Sequence, residues 1–361
     1  MHLNVRLFSF FLLLFSYTFS TAQVSISGKV VNDETGLPLA GASVYFNNTS
    51  IGTSSNAKGE FSFNSVDLLN TDLIVTSVGY DILVLKLDVS TLNGKYFLCR
   101  LKIKEVQLKE VLVLSDTKRR NWLAVFKRNF LGITEEASRS TLLNENDIYF
   151  TRGRDKNTFN AYSDTPIVIV NRMLGYKVYF QLIEFSFDQY SGRTYFYGFT
   201  RYEELGDKKR WTRNRRKAYL GSSLHFFRAL IKNQLLQEGY DIYILKAVKL
   251  EGSSPMDMAV TTTASQIVAP DTARMDYYRI SVAGKLMVQY KKDPATKFFL
   301  RSKVVIQGNI PVGFRSFIMP VKSYFVVDKN GVLDNPLSVE FSGYWVYEKA
   351  ANLLPYNYQP E

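Results

Sequence analysis

Histidine and cysteine are nearly absent from this chain of 361 residues, which has two histidines and one cysteine. His2 lies in an apolar amino-terminal stretch, so His225 and Cys99 are the remaining examples. Zinc peptidases with paired histidine ligands need at least two, and one is too few. A lone cysteine forms no internal disulfide, so packed cores must hold the fold together. We expect neither a metal nor a cofactor.

Motifs of several enzyme classes are also missing. There is no GxSxG elbow and no glycine-rich loop that would cradle a phosphate. Ser222 and Ser223 precede His225 closely, but they stand where helix N-caps belong, and we expect His225 to be a packing or surface residue rather than a reacting one. A hydrolase based on two carboxylates stays open as an alternative, because it needs only paired acids and an aromatic floor. The candidate acids, which have no diagnostic spacing, are Glu184, Asp188, Glu203 and Glu204.

Long apolar runs are confined to the amino terminus. Residues 1–22 combine Arg6, an apolar core over residues 7–15 and small residues at 20–22. This is the pattern of a secretory signal peptide, and the run is shorter than the roughly 20 residues that span a membrane. We predict export to the periplasm, the outer membrane or the cell surface. The mature chain, from about Gln23, should lack a transmembrane segment.

Positive charge is in excess, with 45 Lys and Arg against 33 Asp and Glu and a formal net charge of +12. Removing residues 1–22 takes away only Arg6, which leaves +11. In an exported protein such charge indicates anionic lipids, lipopolysaccharide or acidic glycans rather than nucleic acid. The densest cluster is predicted to bind an anionic surface, with a solvated loop and helix start as the alternative. Its members are Lys208, Lys209, Arg210, Arg213, Arg215, Arg216 and Lys217.

The stretch after the signal peptide alternates apolar and polar residues in short runs. Ile26, Gly28 and Val30 share one face of the first run, and residues 36–38 and 56–59 form turns with glycine. About seven such runs occur at the spacing of a small sandwich. Residues 23–104 are therefore predicted to form an antiparallel β-sandwich.

A set of motifs in this stretch resembles the carboxypeptidase regulatory-like domain. They are a GxV strand, TGxPLxGAxV (Thr35, Gly36, Pro38, Leu39, Gly41, Ala42 and Val44), Gly52-Thr53, Gly59-Glu60-Phe61 and Val78-Gly79-Tyr80. The resemblance implies a transthyretin-like sandwich, common in secreted and outer-membrane proteins of Bacteroidetes-type bacteria, with no catalytic residues of its own. Asn56 stands where such domains often carry aspartate, and we expect the turn to tolerate it.

Residues 105–145 are predicted to connect two domains. Residues 106–115 have the pattern of a connecting strand. Trp122, Val125, Phe126 and Phe130 follow at i, i+3, i+4 and i+8, which is one face of a helix ending near Gly132.

Residues 146–361 are predicted to form an aromatic-rich α+β domain dominated by antiparallel sheet. Alternating strands occur at residues 176–182, 195–199 and 298–306, and their aromatics are interpreted mainly as core. A helix is predicted over residues 222–237 and a long surface loop over 251–276. Parts of this region resemble the second region of other proteins that carry the same first domain, for which no activity is established.

The combined prediction is a mainly β protein: a sandwich followed by a sheet-dominated α+β domain of unknown function. We predict a non-catalytic exported envelope protein that binds a protein, glycan or lipid partner through its β domains. The alternative is the carboxylate-based hydrolase, with its acids in the second domain.

Overall fold

The computed structural model describes residues 24–65, 71–87, 95–105, 115–153, 155, 157–248, 256–292 and 315–360. The predicted signal peptide, nearly all of the predicted strand at 106–115 and the predicted strand at 298–306 lie outside these residues. Within them the fold is mainly β, as predicted. It consists of an amino-terminal sandwich followed by three further sheets and several helices.

The sandwich contains seven strands in two sheets, ordered β4-β1-β7 and β3-β2-β5-β6. They are β1 (Val24–Asn32), β2 (Ser43–Phe46), β3 (Gly52–Ser54), β4 (Glu60–Ser65), β5 (Leu73–Thr76), β6 (Leu83–Leu85) and β7 (Tyr96–Leu101). One pairing differs from the purely antiparallel expectation, because β7 runs parallel to β1. The chain reaches β7 from the opposite sheet by a crossover, and a crossover can deliver a parallel strand where a hairpin cannot.

The core between the two sheets is mostly aliphatic. It includes the fully buried side chains of Ile26, Val44 and Leu73, and the thiol of Cys99 is fully buried as well. Gly28 lies where β1 passes its neighbours, and a Cβ there would stand 2.2 Å from the carbonyl oxygen of Phe97. Glycine is therefore required at this position.

The second region begins with a helix that packs on a six-stranded sheet. The helices are α1 (Asp116–Phe130) and α2 (Glu135–Ser138). The strands are β8 (Ser140–Leu142), β9 (Tyr149–Arg152), β10 (Thr158–Tyr162), β11 (Ile167–Asn171), β12 (Tyr176–Asp188) and β13 (Thr194–Glu204). The order is β8-β11-β12-β10-β9, and β13 also pairs with β12. The predicted apolar face of α1 is confirmed, since Trp122, Phe126 and Phe130 are buried in the core of this sheet.

The rest of the chain forms a helical segment and two more sheets, ordered β15-β14-β18-β19-β21 and β16-β17-β20. The helices are α3 (Lys209–Tyr219), α4 (Ser223–Ile231), α5 (Leu235–Glu238) and α6 (Ala264–Ile267). The strands are β14 (Tyr240–Val248), β15 (Met256–Thr262), β16 (Val268–Pro270), β17 (Tyr277–Ser281), β18 (Lys285–Tyr290), β19 (Arg315–Pro320), β20 (Tyr324–Asp328) and β21 (Val339–Gly343). Phe226, Phe227 and Leu230 of α4 are buried in the core of this part.

Two predicted elements of this part were wrong in detail. The helix predicted over residues 222–237 starts at the expected cap, since the Ser222 hydroxyl accepts from the backbone N–H of His225, but it breaks into α4 and α5. Asn233, between them, has a φ of 53°, which a helix does not allow. The loop predicted over residues 251–276 contains β15, α6 and β16, because pairing of β15 with β14 and of β16 with β17 builds strands from a stretch with weak alternation.

The sandwich docks on the second region through the tip of its β2–β3 hairpin. The backbone N–H of Asn48 donates to the carbonyl of Thr200 at 2.8 Å, and that of Tyr202 donates to the carbonyl of Thr49 at 2.9 Å. Beside these bonds, Phe199 packs with Tyr45 and Ile74 of the sandwich. The hairpin tip thus continues the edge of β13.

The carboxyl-terminal segment ties the regions together. The backbone N–H of Tyr356 donates to the carbonyl of Asn48 at 2.7 Å, and the side chain of Asn357 accepts from the backbone N–H of Ser50 at 3.1 Å. The guanidinium of Arg228, on α4, donates to the carbonyls of Tyr356 and Tyr358, each at 2.8 Å. One segment therefore contacts both the sandwich and α4.

Candidate functional site

The predicted basic cluster forms a helix, α3, preceded by Lys208 as its N-cap residue. The sequence indicated no more than a helix start here, although Trp211, Arg215 and Tyr219 recur at i, i+4 and i+8 and are all buried. Six of the seven cluster residues are exposed. We call them the basic face: Lys208, Lys209, Arg210, Arg213, Arg216 and Lys217.

The buried side of α3 is held by hydrogen bonds to the turn that joins β11 to β12. The indole N–H of Trp211 donates to the carbonyl of Arg172 at 3.0 Å, and the amide of Asn214 donates to that of Met173 at 2.8 Å. Gly175 makes room for the indole ring, because a Cβ there would lie 2.2 Å from Trp211 Cδ2. The helix therefore has a fixed orientation, with its basic face turned to solvent.

Arg215 was predicted to bind with its neighbours, and its position contradicts that prediction. Its guanidinium donates to the carbonyl of Leu174 at 2.8 Å and to that of Gly175 at 3.1 Å. It also pairs with Glu204 at 3.1 Å and lies over the ring of Tyr176 at 3.9 Å. With 8% of its surface exposed, Arg215 anchors α3 and is not available to a partner.

The basic face places positive charge at the N-terminus of α3, which is also the positive end of the helix dipole. Lys208, Lys209 and Arg210 stand at the start of α3, whose first turn has no acidic residue and no side-chain cap, although Asp207 directly precedes Lys208. Cations are unfavourable at a helix N-terminus, where the dipole favours anions, whereas Arg216 and Lys217 suit the last turn. In the described part of the chain, no ion pair joins a residue of the basic face to an acid. An anionic partner would offset the repulsion among these cations and between them and the positive end of the helix dipole.

The four candidate acids of the alternative function have separate local partners or none. Asp188 accepts from the backbone N–H of Tyr190 and the hydroxyl of Ser191, which lowers the pKa of Asp188. Glu203 and Glu204 are consecutive on β13, so they point to opposite faces of the sheet. Glu203 pairs with Arg201 and Glu204 with Arg215, while Glu184 is exposed on β12.

His225 is buried in a network of polar groups. Its Nδ1 accepts from the backbone N–H of Gly221 at 3.1 Å and lies 2.9 Å from the hydroxyl of Tyr240. Its Nε2 lies 3.0 Å from Glu238, so a neutral ring protonated on Nε2 satisfies these partners. Burial lowers the pKa of His225, an effect that Glu238 opposes. Of the two positions expected for His225, in packing or on the surface, its burial shows the first.

Glu348 forms a contact that the sequence did not indicate. Its carboxylate accepts from the backbone N–H of Ser223 at 3.3 Å and from the hydroxyl of Ser223 at 3.1 Å, at the start of α4. The Glu348 side chain is half-buried, and its desolvation raises its pKa to about 8. Within the described residues, no group of three or more His, Cys, Asp and Glu side chains could hold a metal ion.

Residues 26–113 match the family described as the CarboxypepD_reg-like domain. The resemblance found in the sequence is thereby confirmed for the sandwich. No curated protein matches the chain. No helix in the described ranges is long and apolar enough to cross a membrane.

Among solved structures, the chain is similar to a Bacteroides fragilis protein of unknown function that is described as membrane-associated. The identity is 12% and the TM-score 0.18, and the match covers 44% of this chain and 65% of that one. At that TM-score the likeness carries no argument about fold or function.

Proposed function

We propose that the chain is a non-catalytic, exported envelope protein that attaches to an anionic lipid surface through the basic face of α3. The observation that carries the proposal is the exposure of six cations on one rigidly held helix. The sandwich matches the CarboxypepD_reg-like domain. The resemblance to that family implies a domain without catalytic residues, which supports a binding role. Export rests on the pattern of residues 1–22, which lie outside the described residues.

The expected strength of this attachment follows from simple electrostatics. A Lys or Arg near an anionic lipid surface contributes about 1 kcal/mol, so six contribute at most about 6 kcal/mol. Such interactions fall off within a Debye length of about 8 Å at physiological salt. The attachment is therefore peripheral, reversible and sensitive to salt.

Co-sedimentation with vesicles tests the proposal. The chain without residues 1–22 is mixed with vesicles of phosphatidylcholine alone or with an equal part of phosphatidylglycerol. We expect binding to the anionic vesicles only, and loss of that binding when sodium chloride is raised to 0.5 M. The variant Arg213→Glu/Arg216→Glu/Lys217→Glu should bind at least tenfold more weakly, because it reverses half of the basic face. Arg215 stays unchanged in it, so that α3 keeps its anchor.

A matched control reverses three exposed cations of the sandwich, Lys58→Glu/Arg100→Glu/Lys102→Glu. This variant changes the net charge by the same amount but should retain most of the binding. Equal loss in both variants would mean that net charge alone causes adhesion. Unchanged binding in the α3 variant would contradict the proposal outright.

A further inference from the structure

A second surface of the molecule, on β13, differs from the basic face in both its shape and its charge. Tyr195, Tyr197 and Phe199 point away from the core that α1 fills, as strand alternation requires. Phe199 is 6% exposed because the sandwich covers it, whereas Tyr195 is 40% and Tyr197 is 37% exposed. The sequence had suggested core positions for all three. The side chains of Tyr195 and Tyr197 are therefore partly exposed, next to the position on β13 that the sandwich covers.

The neighbouring strand presents polar groups beside these rings. Glu184 pairs with Tyr197 and Ser186 with Tyr195 in the register of β12 and β13. The register shifts between Leu182 and Glu184. Leu182 and Phe185 are both buried in the core, so this irregularity turns Glu184 to the outward side. Such bulges are frequent next to binding sites, where they redirect a side chain.

The backbone opposite this irregularity is tightly constrained. Gly198 faces Leu182, and a Cβ on it would stand 2.3 Å from the carbonyl oxygen of Gln181 and 2.4 Å from the ring of Phe180. Phe180 belongs to the core beneath this sheet, so glycine is required at position 198 on the core side, opposite to the side that carries Tyr197. We call Glu184, Ser186, Tyr195 and Tyr197 the tyrosine face.

Charge on this face is negative or absent. The carboxylate of Glu184 adds to the effect of burial in raising the pKa of Tyr195, and Asp72 of the sandwich does the same for Tyr197. Neither acid takes part in an ion pair within the described part of the chain. Burial raises the pKa of Asp72, an effect that the nearby Lys86 of the sandwich opposes. The face therefore repels acidic ligands and offers hydrogen-bond acceptors to neutral donors. Its charge suits a partner that is rich in hydroxyl groups.

We propose that the tyrosine face binds an extended neutral glycan. Sugar rings have an apolar C–H face that stacks on an aromatic ring, and their hydroxyls donate to carboxylate and hydroxyl oxygens. Residues two apart on a strand lie about 7 Å apart, so Tyr195 and Tyr197 contact neighbouring parts of a chain that runs along β13. Glu184 and Ser186 then accept hydrogen bonds from its hydroxyls. A few placed polar groups among aromatic rings are the usual composition of a ligand site.

This site is separate from the one proposed for anionic lipid. It uses β12 and β13 rather than α3, and its charge has the opposite sign. The vesicle variant with three reversed cations should therefore bind glycan as the unaltered chain does. Either proposal can fail without the other.

Native affinity electrophoresis tests the proposal. The chain without residues 1–22 has a formal charge of +11 at pH 7, so it is run at that pH toward the cathode in gels that contain laminarin, galactomannan, arabinoxylan or dextran. We expect retardation by at least one of these neutral polysaccharides. The variant Tyr195→Ala/Tyr197→Ala should weaken that binding about tenfold or more, since it removes both stacking rings. The variant Tyr195→Phe/Tyr197→Phe keeps both rings and should retain most of it.

The control is Tyr96→Ala, which removes a tyrosine that is 61% exposed on the sandwich and should change nothing. Glu184→Gln should weaken binding severalfold without changing the thermal midpoint of unfolding. Absence of retardation in all four gels would overturn the proposal, as would equal retardation of the alanine variant. Tyrosine-dependent capture of a protease-sensitive envelope component, without any glycan binding, would make the face a protein-binding surface instead.

Discussion

The sandwich and the second region are stabilised by different kinds of buried group. The buried polar side chains of the sandwich are neutral, namely Asn32, Thr49 and Ser55. Those of the second region include Arg215, His225, Arg228 and Asp328, which are ionisable. Burying such groups is unfavourable unless each finds partners. The partners of Arg215 and Arg228 come from distant parts of the chain, whereas those of His225 and Asp328 lie nearby in the sequence. The sandwich depends mainly on apolar packing. The second region depends also on a few buried polar contacts, and the loss of any one of them leaves a buried group without its partner.

Loss of the Arg228 side chain should have the largest effect. Its guanidinium donates to the carbonyl of Asn330 at 2.9 Å as well as to those of Tyr356 and Tyr358. Arg228→Met leaves these acceptors without their donor, and we expect a loss of about 3–5 kcal/mol in the free energy of unfolding. Urea unfolding measures it. Arg216→Met, on the exposed face of α3, is the control and should stay within about 0.5 kcal/mol. A loss below about 1 kcal/mol for Arg228→Met would contradict the view that the second region depends on its buried ionisable groups.

A cavity in the sandwich should be less damaging and should show whether the two regions unfold together. Leu73 is fully buried, and Leu73→Ala should cost about 3 kcal/mol. All three tryptophans, Trp122, Trp211 and Trp345, belong to the second region, so their fluorescence reports on that region alone. Because the hairpin tip is bonded to β13, we expect the fluorescence and circular dichroism transitions of the variant to shift together. Separate transitions would show that the sandwich melts independently.

The smallest expected effect depends on pH. Burial raises the pKa of Glu348 from 4.5 to about 8, so between these values the folded chain binds more protons than the unfolded chain. The contribution of Glu348 to stability is therefore greatest below about pH 4.5 and is lost as the pH rises through 8. Glu348→Gln keeps an acceptor for Ser223 but cannot ionise.

We expect this variant to be roughly 1 kcal/mol more stable than the unaltered chain at pH 9 and equally stable at pH 4. Thermal unfolding at both pH values measures the difference. Glu340→Gln, at an exposed position of β21, should show no such change between pH 4 and pH 9. A Glu348→Gln variant that is no more stable at pH 9 would contradict the raised pKa of this carboxyl group.

The sandwich could be predicted because local signals determine most of it. Alternation in β1 and the turn at Gly59 fix which side chains face inward. The parallel pairing of β1 with β7 was not predictable, because alternation is the same for both strand directions. The packed face of α1 was equally evident from its spacing. Periodicity gives the face of an element but not the direction of its neighbour.

The candidate site was predicted only in part, for a related reason. The sequence located the cations but treated Arg215 as one of them, since a guanidinium is normally solvated. Only the turn carbonyls of Leu174 and Gly175 explain why it is buried. The same holds for Tyr195 and Phe199, which share one face of β13 although only Phe199 is covered. Which part of a face is covered depends on the layer above it, and no local pattern records that layer.

The contact between Ser50 and Asn357 joins positions that are 307 residues apart in the sequence. During synthesis, the sandwich emerges long before the segment that contacts it, so any early folding of the sandwich proceeds without that contact. Docking is then a late step with high contact order, and it waits for delivery of almost the whole chain. Until that moment the surface around Tyr45 and Ile74 is uncovered and open to other proteins. The interval between the emergence of the sandwich and that of the segment around Asn357 is therefore the time at which a chaperone would be most useful.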